Sequence, residues 1–251
     1  AQVARDAEEP AEGLKAAREA YAKEPKELGV RSLLAEFLLR SSREKDRAEG
    51  EELVAAIAKD GRTGALAAAD VWQRLERYGR AAEAAAAALA VYPDDPDLLF
   101  RLGASLEREK KIPESVVAFE KLIALRPDHG AALNYLGYMY ADRNESLERA
   151  YELITRAVAL EPSNAAYLDS LGWVCFRLGK IDEAERHLLA AKRLSPDDPT
   201  IEEHLGDVAE KRGDLAKARD HWTKALALKP EDGGAAVRAK LEKSAAAEKK
   251  P

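Results

Sequence analysis

A chain of 251 residues with 40 Lys and Arg against 46 Asp and Glu, and a net charge of −6, lacks the basic excess of a nucleic-acid-binding protein, so we expect no nucleic-acid partner. No apolar run reaches the roughly 18–20 residues that a membrane span needs, and we expect none. Cys175, the only cysteine, excludes an internal disulfide and lies on an apolar helical face, which indicates a buried side chain. Abundant Ala, Leu, Glu, Lys and Arg, without alternating β-branched runs, predict an all-α chain.

The first third of the chain has the weakest repeat pattern. Residues 1–27 are interpreted as a partial repeat, in which residues 11–25 form a lone helix equivalent to the second half of a helical pair, so we expect the chain to be a fragment of a longer protein. Residues 28–60 keep apolar positions at helical spacing but have no closing proline. Residues 61–95 carry Trp72 at a framework position and place their turn glycine, Gly79, late. We interpret both stretches as degenerate repeats.

The rest of the chain repeats with a period of 34 or 35 residues. A Leu-Gly pair recurs at Leu102, Leu136, Leu171 and Leu205, and helix-ending prolines keep the same register at Pro93, Pro127, Pro162, Pro196 and Pro230. Proline stops a helix because it lacks an N–H and disfavours helix in the residue before it. This spacing predicts helix-turn-helix units over residues 96–129, 130–164, 165–198 and 199–232, followed by a capping helix and tail over 233–251.

This pattern resembles the tetratricopeptide repeat, a family of 34-residue helix-turn-helix units. The last unit carries the family's framework residues, namely Leu205, Gly206, Ala218, Trp222, Ala225 and Pro230. The resemblance implies a right-handed α-solenoid formed by a single domain over residues 1–251. It also implies a non-catalytic scaffold that binds other proteins in a groove and along its ridges.

The sequence contains no recognisable catalytic motif. The chain has no phosphate-binding glycine loop, no nucleophile elbow and no HExxH motif, so we expect no catalytic residue, metal or cofactor. His187 and His221 flank framework positions, and we expect both at the surface. His204 precedes Leu205-Gly206 near the expected inner face but has no converging partners in sequence. The adjacent Glu202 and Glu203 are interpreted as helix-capping and solvating groups.

The family resemblance also implies a partner-binding groove lined by the first helix of each unit. Carried over by position, it comprises Phe100, Asn134, Tyr138, Asp169, Trp173, Phe176, Glu203 and Asp207. The aromatic members are not needed by the framework, which favours interface anchors, with packing against neighbouring helices as the alternative. The acidic members favour a partner with apolar and basic groups.

A narrower resemblance covers about residues 131–230. ALNYLGYMYADR, YLDSLGWVCFRLGKIDEAERHL and EHLGDV are similar to repeats of bacterial tetratricopeptide lipoproteins, some of which act at the outer membrane as adaptors for a periplasmic carboxyl-terminal processing protease. This resemblance implies a periplasmic or outer-membrane-associated adaptor. Two alternatives are a solenoid that self-associates into homo-oligomers, and a docking arm of an enzyme encoded upstream.

Overall fold

The computed structural model describes residues 2–230 and 233–248, and their side chains over residues 11–230 and 233–245. This part of the chain is entirely helical, without a strand. The helices are α1 (Gln2–Lys23), α2 (Leu28–Arg40), α3 (Glu44–Ile57), α4 (Gly61–Arg74), α5 (Tyr78–Leu89), α6 (Pro96–Arg108), α7 (Ile112–Leu125), α8 (Gly130–Asp142), α9 (Leu147–Leu160), α10 (Ala165–Arg177), α11 (Ile181–Leu194), α12 (Pro199–Lys211), α13 (Leu215–Ala227) and α14 (Ala235–Glu248). None of these helices is long and apolar enough to cross a bilayer.

The chain divides into two compact units, Ala1–Pro127 (unit 1) and Asp128–Pro251 (unit 2). In unit 1, α2, α4 and α6 each pack against the helix that follows, and they also pack in sequence against one another. In unit 2, α8, α10 and α12 do the same. Because turns of three or four residues join each pair, its two helices run antiparallel. We call the first helix of each pair helix A and the second helix B. The single-domain organisation expected from the sequence stays a prediction.

Glycines allow helices A and B to approach each other closely. A Cβ built on Gly172 of α10 would lie 2.6 Å from Cγ of Leu188 on α11, and one on Gly137 would lie 2.6 Å from Cγ1 of Ile154. In the degenerate pair α2–α3 the glycine has moved to helix B, where a Cβ on Gly50 would lie 2.8 Å from Cγ of Leu39. The pair therefore keeps a glycine crossing although Leu34-Ala35 stands where the later pairs have Leu-Gly.

Five of the six turns between helices A and B place a left-handed residue at the same position, at intervals of 34 or 35 residues. Glu76, Lys110, Asn144, Gly179 and Gly213 all have positive φ, from 56° to 84°. Each is followed by a residue whose N–H bonds back to a carbonyl five positions earlier, as Lys180 does to Cys175 at 2.9 Å. Gly79, expected as the turn glycine, instead lies inside the first turn of α5, and Glu76 takes the left-handed position.

Candidate partner-binding face

The helix-A face of unit 2 carries seven of the eight residues expected to line a groove. The name helix-A face refers to Asn134 and Tyr138 on α8, Asp169, Trp173 and Phe176 on α10, and Glu203 and Asp207 on α12. Asn134, Tyr138, Phe176 and Glu203 are half-buried, whereas Trp173 is 8% exposed and Asp169 and Asp207 are each 7% exposed. The face therefore has a partly accessible surface above a buried layer.

Trp173 lies at the centre of an aromatic stack. Its ring is stacked on Phe176, with centroids 5.2 Å apart, and on His204 of α12, with centroids 4.3 Å apart. The guanidinium of Arg177 lies over the indole, 5.3 Å from its centroid. Arg177 is held by hydrogen bonds of 3.3 Å to the side chain of Asn144 and to the carbonyl of Asp142. The stack thus joins α10 to α12 and to the end of α8.

Asp169 is paired within the chain. A buried hydrogen bond of 2.9 Å joins its Oδ1 to Nδ1 of His204. Burial of the imidazole lowers the pKa of His204, but the carboxylates of Asp169, Asp207 and Glu203 raise it by more, so the net pKa lies above the ordinary histidine value. The pair therefore favours an imidazolium beneath the indole. His204, which sequence reasoning left outside the site, is the residue that links Asp169 to Trp173.

Two polar atoms on this face have no hydrogen-bond partner within the described part of the chain. They are Oδ1 of Asn134, an acceptor, and Nε1 of Trp173, a donor, and both are buried. By contrast, Nε1 of the framework residue Trp222 donates to Oδ1 of Asp207 at 3.0 Å. Because buried polar groups in native proteins are nearly always paired, the orphaned donor and the orphaned acceptor on adjacent helices A are exceptions that need an explanation.

The acidic residues at the end of the face are covered by the C-terminal helix. Lys240 of α14 donates to Oε1 of Glu203 at 2.6 Å and to Oδ2 of Asp207 at 2.7 Å. Burial lowers the pKa of Lys240, but Asp207 and Glu203 raise it by more, and its net pKa is raised. A basic group thus already occupies the acidic positions, and it comes from this chain. The sequence carries no periodic signal that would predict this contact.

Phe100, the remaining expected groove residue, lies on α6 in unit 1. It is half-buried and packs edge-to-face against the framework residue Phe119, with centroids 5.6 Å apart. In unit 2, the half-buried Tyr138 and Phe176 pack against the core cluster that contains Trp173 and Leu171. The aromatic positions thus combine accessible edges with internal packing, so their role in binding a partner stays a prediction.

Two expectations about surface charges are wrong. His221 is buried, 7% exposed, and Glu202 is 3% exposed, because Nδ1 of His221 and Oε2 of Glu202 form a hydrogen bond of 2.6 Å. Lys192 of α11 completes the group with an ion pair of 2.5 Å to Glu202. Three residues on three helices can share this site because Glu202 is paired with both of the others. His187 is half-buried, and burial lowers its pKa.

Within the described residues, no three His, Cys, Asp or Glu side chains converge to form a group that could hold a metal ion. Cys175 is fully buried, and burial raises the pKa of its thiol to about 11. A thiol with this pKa is protonated at neutral pH and packs as a small apolar group.

Antiparallel helix pairs with glycine crossings and a left-handed turn every 34 or 35 residues define a helical-repeat protein. Family models described as tetratricopeptide repeat match residues 66–121, 111–160, 139–199 and 203–232. The chain belongs to the tetratricopeptide repeat family.

Two curated relatives match part of the chain. The TPR repeat-containing protein PA4667 of Pseudomonas aeruginosa is 36% identical over 141 residues, which are 56% of this chain and 24% of the relative. The peroxisomal targeting signal receptor of Candida albicans is 29% identical over 96 residues, which are 38% of this chain and 16% of that protein. The chain therefore spans about a quarter or less of the length of these relatives.

Solved structures share the fold. The TPR protein TTC0263 of Thermus thermophilus superposes with a TM-score of 0.61 at 24% identity, covering 72% of this chain and 97% of that protein. A MamA structure from Desulfovibrio magneticus superposes with a TM-score of 0.56 at 22% identity, covering 64% of this chain and 90% of that one. At these identities the likeness concerns the fold alone.

Proposed function

We propose that this chain is a non-catalytic scaffold that binds an extended segment of a partner protein on the helix-A face of unit 2. The proposal rests on two buried atoms without a hydrogen-bond partner, Nε1 of Trp173 and Oδ1 of Asn134. A peptide backbone supplies both missing groups, because its carbonyl accepts from the indole and its N–H donates to the amide oxygen. One relative is by name a receptor for a targeting signal, which is compatible with this role.

The partner segment would approach past Arg177. This half-buried guanidinium covers the Trp173 ring, and its two hydrogen bonds are long at 3.3 Å. A small displacement of the side chain would uncover the indole at modest cost, since a cation–π contact at a partly exposed site contributes only about 0.5–1 kcal/mol. Half-buried Tyr138 and Phe176 would then supply the apolar contacts that anchor such segments.

Capture of partners from extract of the native cell tests the proposal. The parent chain, Trp173→Phe and Trp72→Phe would be immobilised at equal amounts of folded protein. We expect one or more proteins to be retained by the parent and by Trp72→Phe, whose indole lies in unit 1, and to be depleted with Trp173→Phe. Equal retention by all three chains would show that the partner binds elsewhere.

The resemblance to bacterial lipoprotein adaptors supports a finer proposal, in which the partner is a periplasmic carboxyl-terminal processing protease. Its test is direct binding and substrate turnover with that purified protease from the same bacterium. We expect co-elution of the two proteins and faster degradation of a shared substrate. Absence of both, while other proteins are still captured, would reject the protease and retain the scaffold. Light scattering over a range of concentrations would reveal self-association, the alternative assembly role.

A further inference from the structure

The turns between helices A and B in unit 1 concentrate positive charge. Segments 40–47, 74–80 and 108–114 contain ten Lys and Arg but five Asp and Glu, although the whole chain carries a net charge of −6. Arg40, Arg74 and Arg108 are the last residues of α2, α4 and α6, at steps of 34 residues. Basic residues at helix C-termini have a structural benefit, because they interact favourably with the helix dipole.

A surface cavity of about 530 Å³ opens among these turns. It is lined by Leu39, Arg40, Ser41, Arg47, Arg74, Leu75, Glu76 and Arg77, so four guanidiniums face one carboxylate. Arg74 pairs with Glu36. The other three arginines form no ion pair within the residues that the structure describes, and that unbalanced charge distinguishes the cavity from an ordinary solvated turn.

Hydrogen bonds to main-chain carbonyls orient these three guanidiniums but leave most of their N–H groups unused. Nη2 of Arg77 donates to the carbonyl of Leu39 at 3.2 Å. Nη1 of Arg47 donates to the carbonyls of Ser41 and Ser42 at 3.0 Å and 2.7 Å, and Nη2 of Arg40 makes one long bond of 3.4 Å. Each guanidinium has five N–H groups, so the carbonyl bonds fix its position while several donors stay free for a ligand.

We propose that this cavity binds carboxylate side chains in an acidic segment of a partner protein. The planar guanidinium presents paired donors that match the two oxygens of a carboxylate, and several oriented arginines bind such groups better than scattered lysines. The half-buried Leu75 lines the same cavity and suits the apolar part of a peptide. A long nucleic acid fits less well, because a chain with a net charge of −6 repels an extended polyanion.

Fluorescence anisotropy with a short labelled peptide rich in glutamate and leucine tests this site. Arg40→Glu changes an exposed residue whose hydrogen bond is weak, so we expect the chain to fold and to bind the peptide about tenfold more weakly. Arg80→Glu in the same unit is the matched control, because it makes the same charge change at an exposed residue outside the cavity. We expect its affinity to fall less than about twofold. Arg77→Lys keeps the charge but removes the paired donors, and it should also weaken binding.

A glutamine peptide and a single-stranded oligonucleotide test whether the cavity recognises carboxylates. The same peptide with glutamine in place of glutamate should not bind. Equal losses with Arg40→Glu and Arg80→Glu would overturn the proposal, because long-range charge would then explain the affinity. The proposal also fails if a single-stranded oligonucleotide binds as tightly as the acidic peptide and responds in the same way to Arg40→Glu.

Discussion

Single residues show how the repeat tolerates departures from its own pattern. Among the five A-to-B turns that share a left-handed position, the residue there is glycine in two and Glu76, Lys110 or Asn144 in three. A side chain in this conformation costs about 1–2 kcal/mol, and only glycine avoids the cost. Similarly, Nε1 of Trp173 is buried without a hydrogen-bond partner, which lowers the stability of the free chain.

We expect Lys110→Gly to stabilise the chain by about 0.5–1 kcal/mol, because glycine removes the backbone strain at a φ of 61°. Glu109→Gly is the control in the same turn, since Glu109 is also exposed but has a φ of −78°. Glycine there should destabilise the chain through the added freedom of the unfolded state. Urea unfolding measures both, and effects of the same sign would contradict the assignment of the turn.

The Asp169–His204 pair should make stability depend on pH. The pKa of His204 is raised in the folded chain, so the contribution of the pair is fully present below the ordinary histidine pKa of about 6.5 and is lost as pH rises through the higher folded value. Urea unfolding from about pH 5.5 to about pH 9 should show the parent losing stability relative to His204→Gln. A difference between the two chains that stays constant with pH would refute this explanation.

At the scale of helices, framework positions were predictable and side-chain partners were not. Leu-Gly pairs and prolines predict helices and their crossings because one residue type satisfies each local requirement, glycine at a crossing or proline at a helix end. Pairings such as Glu202 with His221, or Lys240 with Asp207, depend on which helices become neighbours. Charged residues on a helix look the same in sequence whether they face solvent or a neighbour. The glycine crossing at Gly50 was also missed, because it lies on helix B.

Helix α14 should depend on Lys240 for its attachment. We expect Lys240→Met to destabilise the chain by about 1–3 kcal/mol, because it leaves the buried Asp207 without its cation. Lys243→Met is the matched control on the same helix, since Lys243 is 82% exposed and lies 4.0 Å from Glu210. Its cost should stay below about 0.5 kcal/mol. Equal effects in thermal unfolding would show that α14 is held by apolar packing alone.

In the part of the chain that the structure describes, each unit carries chemistry beyond the repeat framework. Unit 2 carries an aromatic and acidic helix-A face with two unmet hydrogen bonds, and unit 1 carries an arginine-lined cavity. Neither place is required by the tetratricopeptide framework, which uses leucine, glycine, alanine and proline. The composition does not indicate the cavity, because the net charge of −6 is a sum in which acidic segments elsewhere outweigh the basic turns.

A direct test of whether Trp173 binds a partner is the affinity of a purified captured partner for Trp173→Phe and Trp222→Phe. Both variants lose the same ring atoms and one N–H. Trp173→Phe removes an unpaired donor, so it should cost less free energy of unfolding than Trp222→Phe, which removes the donor to Oδ1 of the buried Asp207. We expect Trp173→Phe nevertheless to bind the partner about tenfold more weakly, whereas folded Trp222→Phe should bind like the parent. Parental affinity in Trp173→Phe, or an equal loss in both variants, would show that Trp173 belongs to the core alone.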